Sequence, residues 1–420
     1  MIRSALTAFT TVLCAALTGL AASPRAAAQL TALVAEPAPA VPSDSVTPSD
    51  QAGLAVLYPY RATYPYLETL EARLDEALAD RRVVGLVAAV IENGEPVFIY
   101  THGETAAGSG EAVTRETLFR AASVSKTFTG TLLGVLEAEG LLDLSAPVPG
   151  DVLRVRGSRQ PTLEEIASHR TGLPPNAYDL DLEAGQAPSR IRERLSGVEL
   201  ICPVGECYTY QNIAFSALES LVEDATGEDF SSALRDRLLE PLGLPSASIG
   251  TAALTASPSW ARPHSGWRRL GNRPGDPATP YDTIPSASGL NLSLDDMIVW
   301  AQVQMGTRPG LSEPVRTRIH APLTDTVRET RRLGDLRTRV DQTWYGLGWR
   351  VYDWEGRTLV LHSGYLSGYG AQIVLEPETG FAFVALWNSD NRPAWWLWPT
   401  VMDLRTGNGP GTWLDRFVED

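Results

Sequence analysis

Ser123 and Lys126 stand three residues apart in RAASVSKTFTGTLLGVLEAEG, and Lys126 is the single lysine of a 420-residue chain whose other basic side chains are all arginine. The stretch after Ser123 has helical apolar spacing, so a helix opening at Ser123 puts Lys126 one turn later on the same face, with its amine in reach of the hydroxyl. That pair makes a nucleophile and its base. A lysine can accept a proton only if part of it is neutral at working pH, and burial and the positive end of a helix dipole both lower its pKa. Arginine cannot be deprotonated in a protein, so this position alone resists the replacement seen everywhere else. A Ser-x-x-Lys spacing is common and also fits a surface lysine; its uniqueness here favours the catalytic reading.

Two further groups of residues suit the same chemistry. Tyr210-Gln211-Asn212 lies between LICPVGEC and the helical pattern IAFSALESLVEDATG, where a phenol can relay a proton and an amide can hold both the lysine and a substrate amide. His362-Ser363-Gly364 ends the strand-like run TLVLHSG, and Gly364 would admit a substrate backbone. The tripeptide recurs at His264-Ser265-Gly266, in the polar, Pro-flanked ARPHSGWRR of a helical region, so context favours the later copy. His169 and Arg170, in SHRTGLP, read as loop structure.

Other chemistries find less support. The histidines at 102, 169, 264, 320 and 362 show no metal-ligand spacing, no cofactor is implied, and neither a phosphate-binding glycine loop nor Gly-x-Ser-x-Gly is present. The formal charge of −15 has no basic run to offset it, which argues against nucleic acid or anionic lipid as partners. A small molecule or a peptide is the expected substrate. The sequence leaves the oligomeric state open.

The elements that must position these residues are legible in outline. YLETLEARLDEALADRR (66–82) predicts an amphipathic helix, and VVGLVAAVI, an Asn-Gly turn at 93 and 94 and EPVFIYTHG predict a hairpin. From about 150 to 335, helical segments alternate with Pro/Gly-rich loops. Strands return in WYGLGWRVYDW, GRTLVLHSG, GYGAQIVLEPETG and FAFVALWNSD, and AWWLWPTVMDLRTG predicts a closing helix. The expected architecture is α/β of the α+β kind: an antiparallel sheet from both chain ends, flanked by terminal helices, with a mostly helical subdomain inserted. The tryptophans of AWWLWP read as hydrophobic cover over the sheet rather than a substrate or membrane face.

Residues 1–28 read as a secretory signal, with Arg3 before an apolar run and an Ala-x-Ala site ending at Ala28; small residues and the Ala/Pro-rich linker of 29–60 argue against a stable membrane anchor. The catalytic domain is expected over 61–410 and the mature protein in the periplasm or secreted. Leu13 before Cys14 argues against lipidation. Cys202 and Cys207, five apart across Pro-Val-Gly-Glu, suit a disulfide closing a tight loop in an oxidising compartment, with a zinc site as the rival reading.

The order Ser123-Val-Ser-Lys126, Tyr210-Gln-Asn212, His362-Ser-Gly364 resembles the serine beta-lactamase-related family of class C beta-lactamases, D-Ala-D-Ala carboxypeptidases, D-aminopeptidases and esterases. ASHRTGLP, LEAEGLLDLSAPV and SASGLNLSLDDM also look like its connecting segments, so the resemblance runs from about 66 to 405. It implies the beta-lactamase/transpeptidase-like fold and a Ser123 acyl-enzyme, with Lys126 and Tyr210 moving the proton. It further implies an oxyanion site at the N–H groups of Ser123 and Tyr365, Asn212 orienting Lys126, and Ser363 on a substrate carboxylate. His362 stands where class C beta-lactamases have lysine, which points away from efficient beta-lactam cleavage. The activity expected is hydrolysis of a D-amino-acid peptide, as by a D-Ala-D-Ala carboxypeptidase. A carboxylesterase or weak class C-like beta-lactamase, and a slow-acylating penicillin-binding sensor, are the alternatives.

Overall fold

Strand β1 (Gly85–Glu92) is apolar almost throughout because both of its faces are covered. In the computed structural model, which describes residues 60, 62–79, 83–265, 274–390, 393–409, 411 and 413–415, every β1 residue is buried. Side chains alternate across a strand, so Val87, Ala89 and Ile91 enter one hydrophobic core and Leu86, Ala88 and Val90 enter another. Asn93 and Gly94, at φ of 52° and 82°, turn the chain into β2 (Glu95–Gly103) as the Asn-Gly signal predicts. Residues 1–28, read from sequence as a secretory signal, and most of 29–60, read as a linker, lie outside the described residues.

The sheet is completed by the other end of the chain. After β6 (Thr324–Asp325) come β7 (Val340–Tyr345), β8 (Arg350–Trp354), β9 (Arg357–Leu366), β10 (Tyr369–Glu376) and β11 (Phe381–Trp387). The strand order is β2-β1-β11-β10-β9-β8-β7-β6, antiparallel throughout, with Ala88 opposite Ala385 where the two chain ends meet. The terminal helices Tyr66–Leu78 (α1) and Leu397–Thr406, the latter preceded by a 3-10 turn at Pro393–Trp396, supply the second core. There Trp398 meets Trp354 at 5.3 Å and Trp395 meets Trp387 at 5.0 Å, so the Trp-rich segment covers the sheet as expected.

The larger core lies under the opposite face, where helix α2 (Ser125–Ala138) is buried over most of its length. Phe128 stacks on Trp300 with centroids 3.7 Å apart, and the Trp300 indole N–H donates to Thr127 Oγ1 at 3.2 Å. Helices α3 (Leu163–Ala167), α4 (Asp179–Glu183), α5 (Pro188–Leu195), α6 (Asn212–Phe215), α7 (Ala217–Thr226), α8 (Pro285–Ser288) and α9 (Leu294–Met305) belong to the inserted region. Capping boxes at Thr162/Glu165 and Ser293/Asp296 start α3 and α9. A small sheet joins β3 (Phe119–Arg120), which precedes α2, to β5 (Leu290–Leu292) and β4 (Ser248–Ile249) of the inserted region, in strands too short for alternation to reveal.

Two helix boundaries differ from the periodicity. The first helix stops at Leu78, and IAFSALESLVEDATG divides into α6 and α7 at Ser216. Ser216 Oγ donates back to the Ile213 carbonyl at 2.8 Å and accepts from Arg192 at 3.0 Å; such back-bonding bends helices.

Candidate active site

Ser123 sits in a single 3-10 turn, Ala122–Val124, and the α-helix begins only at Ser125, one step later than a helix opened by Ser123 itself. Ala122 has φ of +47°, a conformation that costs a non-glycine residue on the order of 1–3 kcal/mol. The Ala122 carbonyl accepts from Ser125 Oγ at 2.6 Å, and that hydroxyl in turn accepts from Leu290 N at 3.0 Å, so the strained turn is tied to β5. Strand β9 presses on it from the other side. A Cβ built on Gly364 would stand 2.2 Å from the Ala121 carbonyl oxygen and 2.9 Å from Ser123 N, so only glycine permits this approach.

Lys126 is fully buried. Its Nζ lies 2.8 Å from Asn212 Oδ1, 2.9 Å from the Ala287 carbonyl and 3.4 Å from Ser123 Oγ. Burial holds its pKa well below the ordinary 10.5, the positive field of Arg350 adds to that, and the charge of Asp179 opposes it. A neutral amine has two N–H donors and one lone pair. Asn212 and Ala287 are both acceptors and occupy the two donors, which leaves the lone pair directed at the Ser123 hydroxyl. The Tyr210 and Phe215 rings, 4.8 and 5.3 Å from Nζ, close the amine off from water.

Tyr210 approaches from the loop before α6, its hydroxyl 2.9 Å from Ser123 Oγ. Burial raises its pKa, with the Ser123 hydrogen bond and Arg350 opposing, so the phenol is protonated and donates. Three features fix its loop. Cys202 and Cys207 form the disulfide, Gln211 caps α6 by accepting from Ile213 N at 2.7 Å, and His169 supports both flanks of Tyr210. The His169 carbonyl accepts from Thr209 N at 2.8 Å, its Nδ1 accepts from Gln211 N at 3.3 Å, and its ring packs 4.4 Å from that of Tyr210. The loop histidine of SHRTGLP is therefore structural, and it acts on Tyr210. Asn212, from the first turn of α6, donates to Asp179 Oδ2 at 2.8 Å, which leaves its Oδ1 for the lysine.

His362 is buried, and burial together with Arg350 and Lys126 keeps it neutral. Its Nδ1 lies 2.9 Å from the Ser363 carbonyl and must donate, so Nε2 accepts from the Tyr345 hydroxyl at 3.0 Å. Ser363 is partly exposed and Tyr365 is 55% exposed. The cation that the third motif lacks appears on the neighbouring strand. Arg350, next to β9 with Leu361 as its partner, lies 5.7 Å from the Tyr210 ring centroid and pairs with Glu329. Motif reading misses it because one arginine among 34 carries no signal.

A cavity of about 540 Å³ opens beside Ser123, bounded by Asn212, Ser288, Tyr281, Tyr365 and the 275–280 loop. Arg120, buried beneath it, ties this wall down through Asp282 at 2.7 Å and the Pro277 carbonyl at 3.0 Å. Ser265 also lines the cavity. The first His-Ser-Gly is thus closer to the site than its polar context suggests, because His264 bridges to Ser389 at the end of β11; Gly266 lies outside the described residues. Asp179, Ala287, Arg350 and Arg120 complete the site; only Ala287 stands in a family-like segment, SASGLNLSLDDM, and its part is played by a backbone carbonyl.

Comparison with known proteins points to a family and a fold. The family model "Beta-lactamase" matches residues 70–395. Penicillin-binding protein 4 of Amycolatopsis lactamdurans is 29% identical over 332 residues, covering 76% of this chain and 84% of that protein. A D-aminopeptidase of Brucella ovis is 27% identical over 324 residues; the match covers 73% of this chain but only 56% of the aminopeptidase. The octameric penicillin-binding protein homologue from Pyrococcus abyssi superposes with a TM-score of 0.72 at 22% identity, over 82% of this chain and 78% of that one, which shows a shared fold. Match and fold together place this chain in the beta-lactamase family of serine hydrolases.

Proposed function

We propose that the chain is an exported hydrolase that cleaves a small D-amino-acid peptide through an acyl-enzyme on Ser123, in the manner of a D-Ala-D-Ala carboxypeptidase. The observation that carries this reading is the convergence of a buried amine at 3.4 Å and a phenol at 2.9 Å on one serine hydroxyl. Ser123 gives its proton to Lys126 as Oγ bonds to the carbonyl carbon. The oxyanion is met by the N–H groups of Ser123 and Tyr365, which the contact of Gly364 with the Ser123 turn brings close. Tyr210 then passes its proton to the leaving group as the acyl–leaving-group bond breaks; in the second half-reaction water gives a proton to the Tyr210 phenolate as it attacks the ester, and Lys126 returns its proton to Ser123 Oγ as the acyl–Oγ bond breaks.

A neutral His362 offers no charge to a substrate carboxylate, and Arg350, packed against the Tyr210 ring and paired with Glu329, lends this motif a positive field without lining the cavity. A leaving group with a free carboxylate would then be held by the Ser363 hydroxyl, with Arg350 contributing its field rather than a contact. Penicillin-binding protein and D-aminopeptidase names among the relatives support the peptide reading. The Cys202–Cys207 disulfide supports an oxidising, extracytoplasmic destination, and among the described residues no helix is long and apolar enough to cross a membrane.

Intact-mass and peptide mapping after a labelled fluorophosphonate tests the nucleophile, with one adduct on Ser123 expected; an adduct elsewhere refutes the assignment. Comparing kcat/KM on D-amino-acid peptides, their C-terminal amides, p-nitrophenyl esters and nitrocefin tests the substrate. Free-carboxylate peptides are expected to lead. Faster esters would show a carboxylesterase, faster nitrocefin a beta-lactamase, and a stable adduct without turnover a penicillin-binding sensor.

A further inference from the structure

The second acceptor that occupies the Lys126 amine, beside Asn212 Oδ1, is the Ala287 carbonyl, and it belongs to a helix of one turn. Helix α8 has no side-chain cap of its own, and Pro285 at its start has no N–H to anchor it. What fixes its first turn is Glu219 of α7, whose Oε1 accepts from both Ser286 N at 3.0 Å and Ser286 Oγ at 2.6 Å. The next carbonyls face the catalytic helix: Ser286 O accepts from Thr129 at 2.8 Å and Ala287 O from Lys126. Glu219 touches neither the cavity nor Ser123.

We propose that Glu219 is a positioning residue for acylation: its two bonds to Ser286 hold α8 so that the Ala287 carbonyl aims the Lys126 lone pair at Ser123. The inference rests on the reading of Ser123 as nucleophile and Lys126 as base. The residue type supports it. Burial pushes the Glu219 carboxyl up to about 7, so keeping a carboxylate there is costly in stability. The charged groups that face it are Arg192 of α5 and, one turn along α7, Glu223. Arg192 spends a donor on Ser216 Oγ, and among the described residues no cation pairs with Glu219 within salt-bridge distance. A glutamine would satisfy Ser286 without that cost, but bonds to a charged acceptor are about twice as strong as neutral ones and hold a one-turn helix more firmly.

The test compares wild type, Glu219→Gln, Glu219→Ala and Ser123→Ala, each as the full chain. It measures kcat and KM for a p-nitrophenyl ester from pH 5.5 to 9, with thermal melts of each protein. Glu219→Ala is expected to lose on the order of 10- to 100-fold in kcat with KM nearly unchanged, as expected when a reacting group is misplaced without loss of binding. Glu219→Gln is expected to recover most of that loss and to lack an inflection near pH 7 that wild type shows as Glu219 ionises, with the rate rising towards higher pH. A wild-type kcat in Glu219→Ala would overturn the proposal. So would a wild-type pH profile in Glu219→Gln, which remains informative if the alanine variant fails to fold. Turnover surviving in Ser123→Ala would instead refute the nucleophile assignment on which the proposal rests.

Discussion

The two sides of Ser123 are built differently. On the helical side, the buried Lys126 amine meets two fixed acceptors, Asn212 Oδ1 and the Ala287 carbonyl, in a polar cluster closed off from water around Nζ. On the sheet side, Gly364 packs against the Ser123 turn, Ser363 is partly exposed, and Tyr365 borders an open cavity whose far wall is a loop held by Arg120. The dry side determines the proton chemistry, since a lysine works as a base only where solvent does not restore its charge. The open side determines what is bound. Damage to the first should therefore fall on kcat for every substrate, and damage to the second on discrimination between substrates.

The dry side is most exposed to failure at Lys126. Lys126→Arg puts a permanent charge into a fully buried site and overpacks it, so Lys126→Met, close in volume, is the necessary companion. Both should lower the acylation rate on the order of 10³- to 10⁴-fold, by rapid-quench labelling, on esters and amides alike. In wild type the rate should rise as Lys126 loses its proton and level off well below the ordinary lysine pKa of 10.5. A rate still climbing through pH 10, or activity kept in either variant, would remove lysine as the base. Tyr210→Phe divides the two half-roles of the phenol. Because Tyr210 delivers the leaving-group proton, an amide should lose on the order of a hundred-fold, while a p-nitrophenyl ester, whose leaving group departs as an anion, should lose much less. Equal losses would mean that Tyr210 acts only on Ser123.

How much of this was legible follows the same division. The dry side was readable where its chemistry demands residue types, one lysine among arginines and a Tyr-x-Asn, whereas Gly364, read as room for a substrate backbone, makes room for the Ser123 turn instead. The strands were readable because β1 and β9 to β11 are apolar runs bounded by turns. The acceptor from Ala287 was not, since any residue carries a carbonyl and only the fold selects which one meets Lys126. Arg350, Arg120 and Glu219 were hidden for a related reason: each is a common charged residue whose importance lies in what the chain brings beside it. The division at Ser216 was hidden because it depends on Arg192 from another helix.

At the seam between the two sides, Gly364→Ala drives a methyl group into the Ala121 carbonyl and against Ser123 N. Overpacking of this kind typically costs 1–3 kcal/mol, and here it falls on the backbone that places the nucleophile. A melting temperature lower by several degrees and a roughly ten-fold slower acylation of every substrate are expected, the latter because the strained turn and the oxyanion donors move together. An unchanged rate would mean that the turn tolerates displacement and that the contact serves packing alone.

The smallest effects should come from the open side, where two copies of one tripeptide allow a controlled comparison. His264 and His362 are alike: each ring directs Nδ1 at a backbone carbonyl, Asn388 at 3.0 Å and Ser363 at 2.9 Å, and each accepts at Nε2, from Ala107 N at 3.2 Å and from the Tyr345 hydroxyl. The serines differ. Ser363 precedes the glycine that touches the Ser123 turn, whereas Ser265 faces the cavity from the loop wall and has no link to that turn. Ser363→Ala should therefore raise KM about ten-fold for peptides with a free C-terminal carboxylate, the scale of one charge-assisted hydrogen bond, and leave their C-terminal amides nearly unchanged. Ser265→Ala should shift either class by less than about two-fold, as expected for a solvent-exposed neutral contact. If the two variants exchanged these effects, the substrate carboxylate would lie on the loop wall rather than along β9. Arg120, which holds that wall, would then replace Arg350 as the nearest source of positive charge.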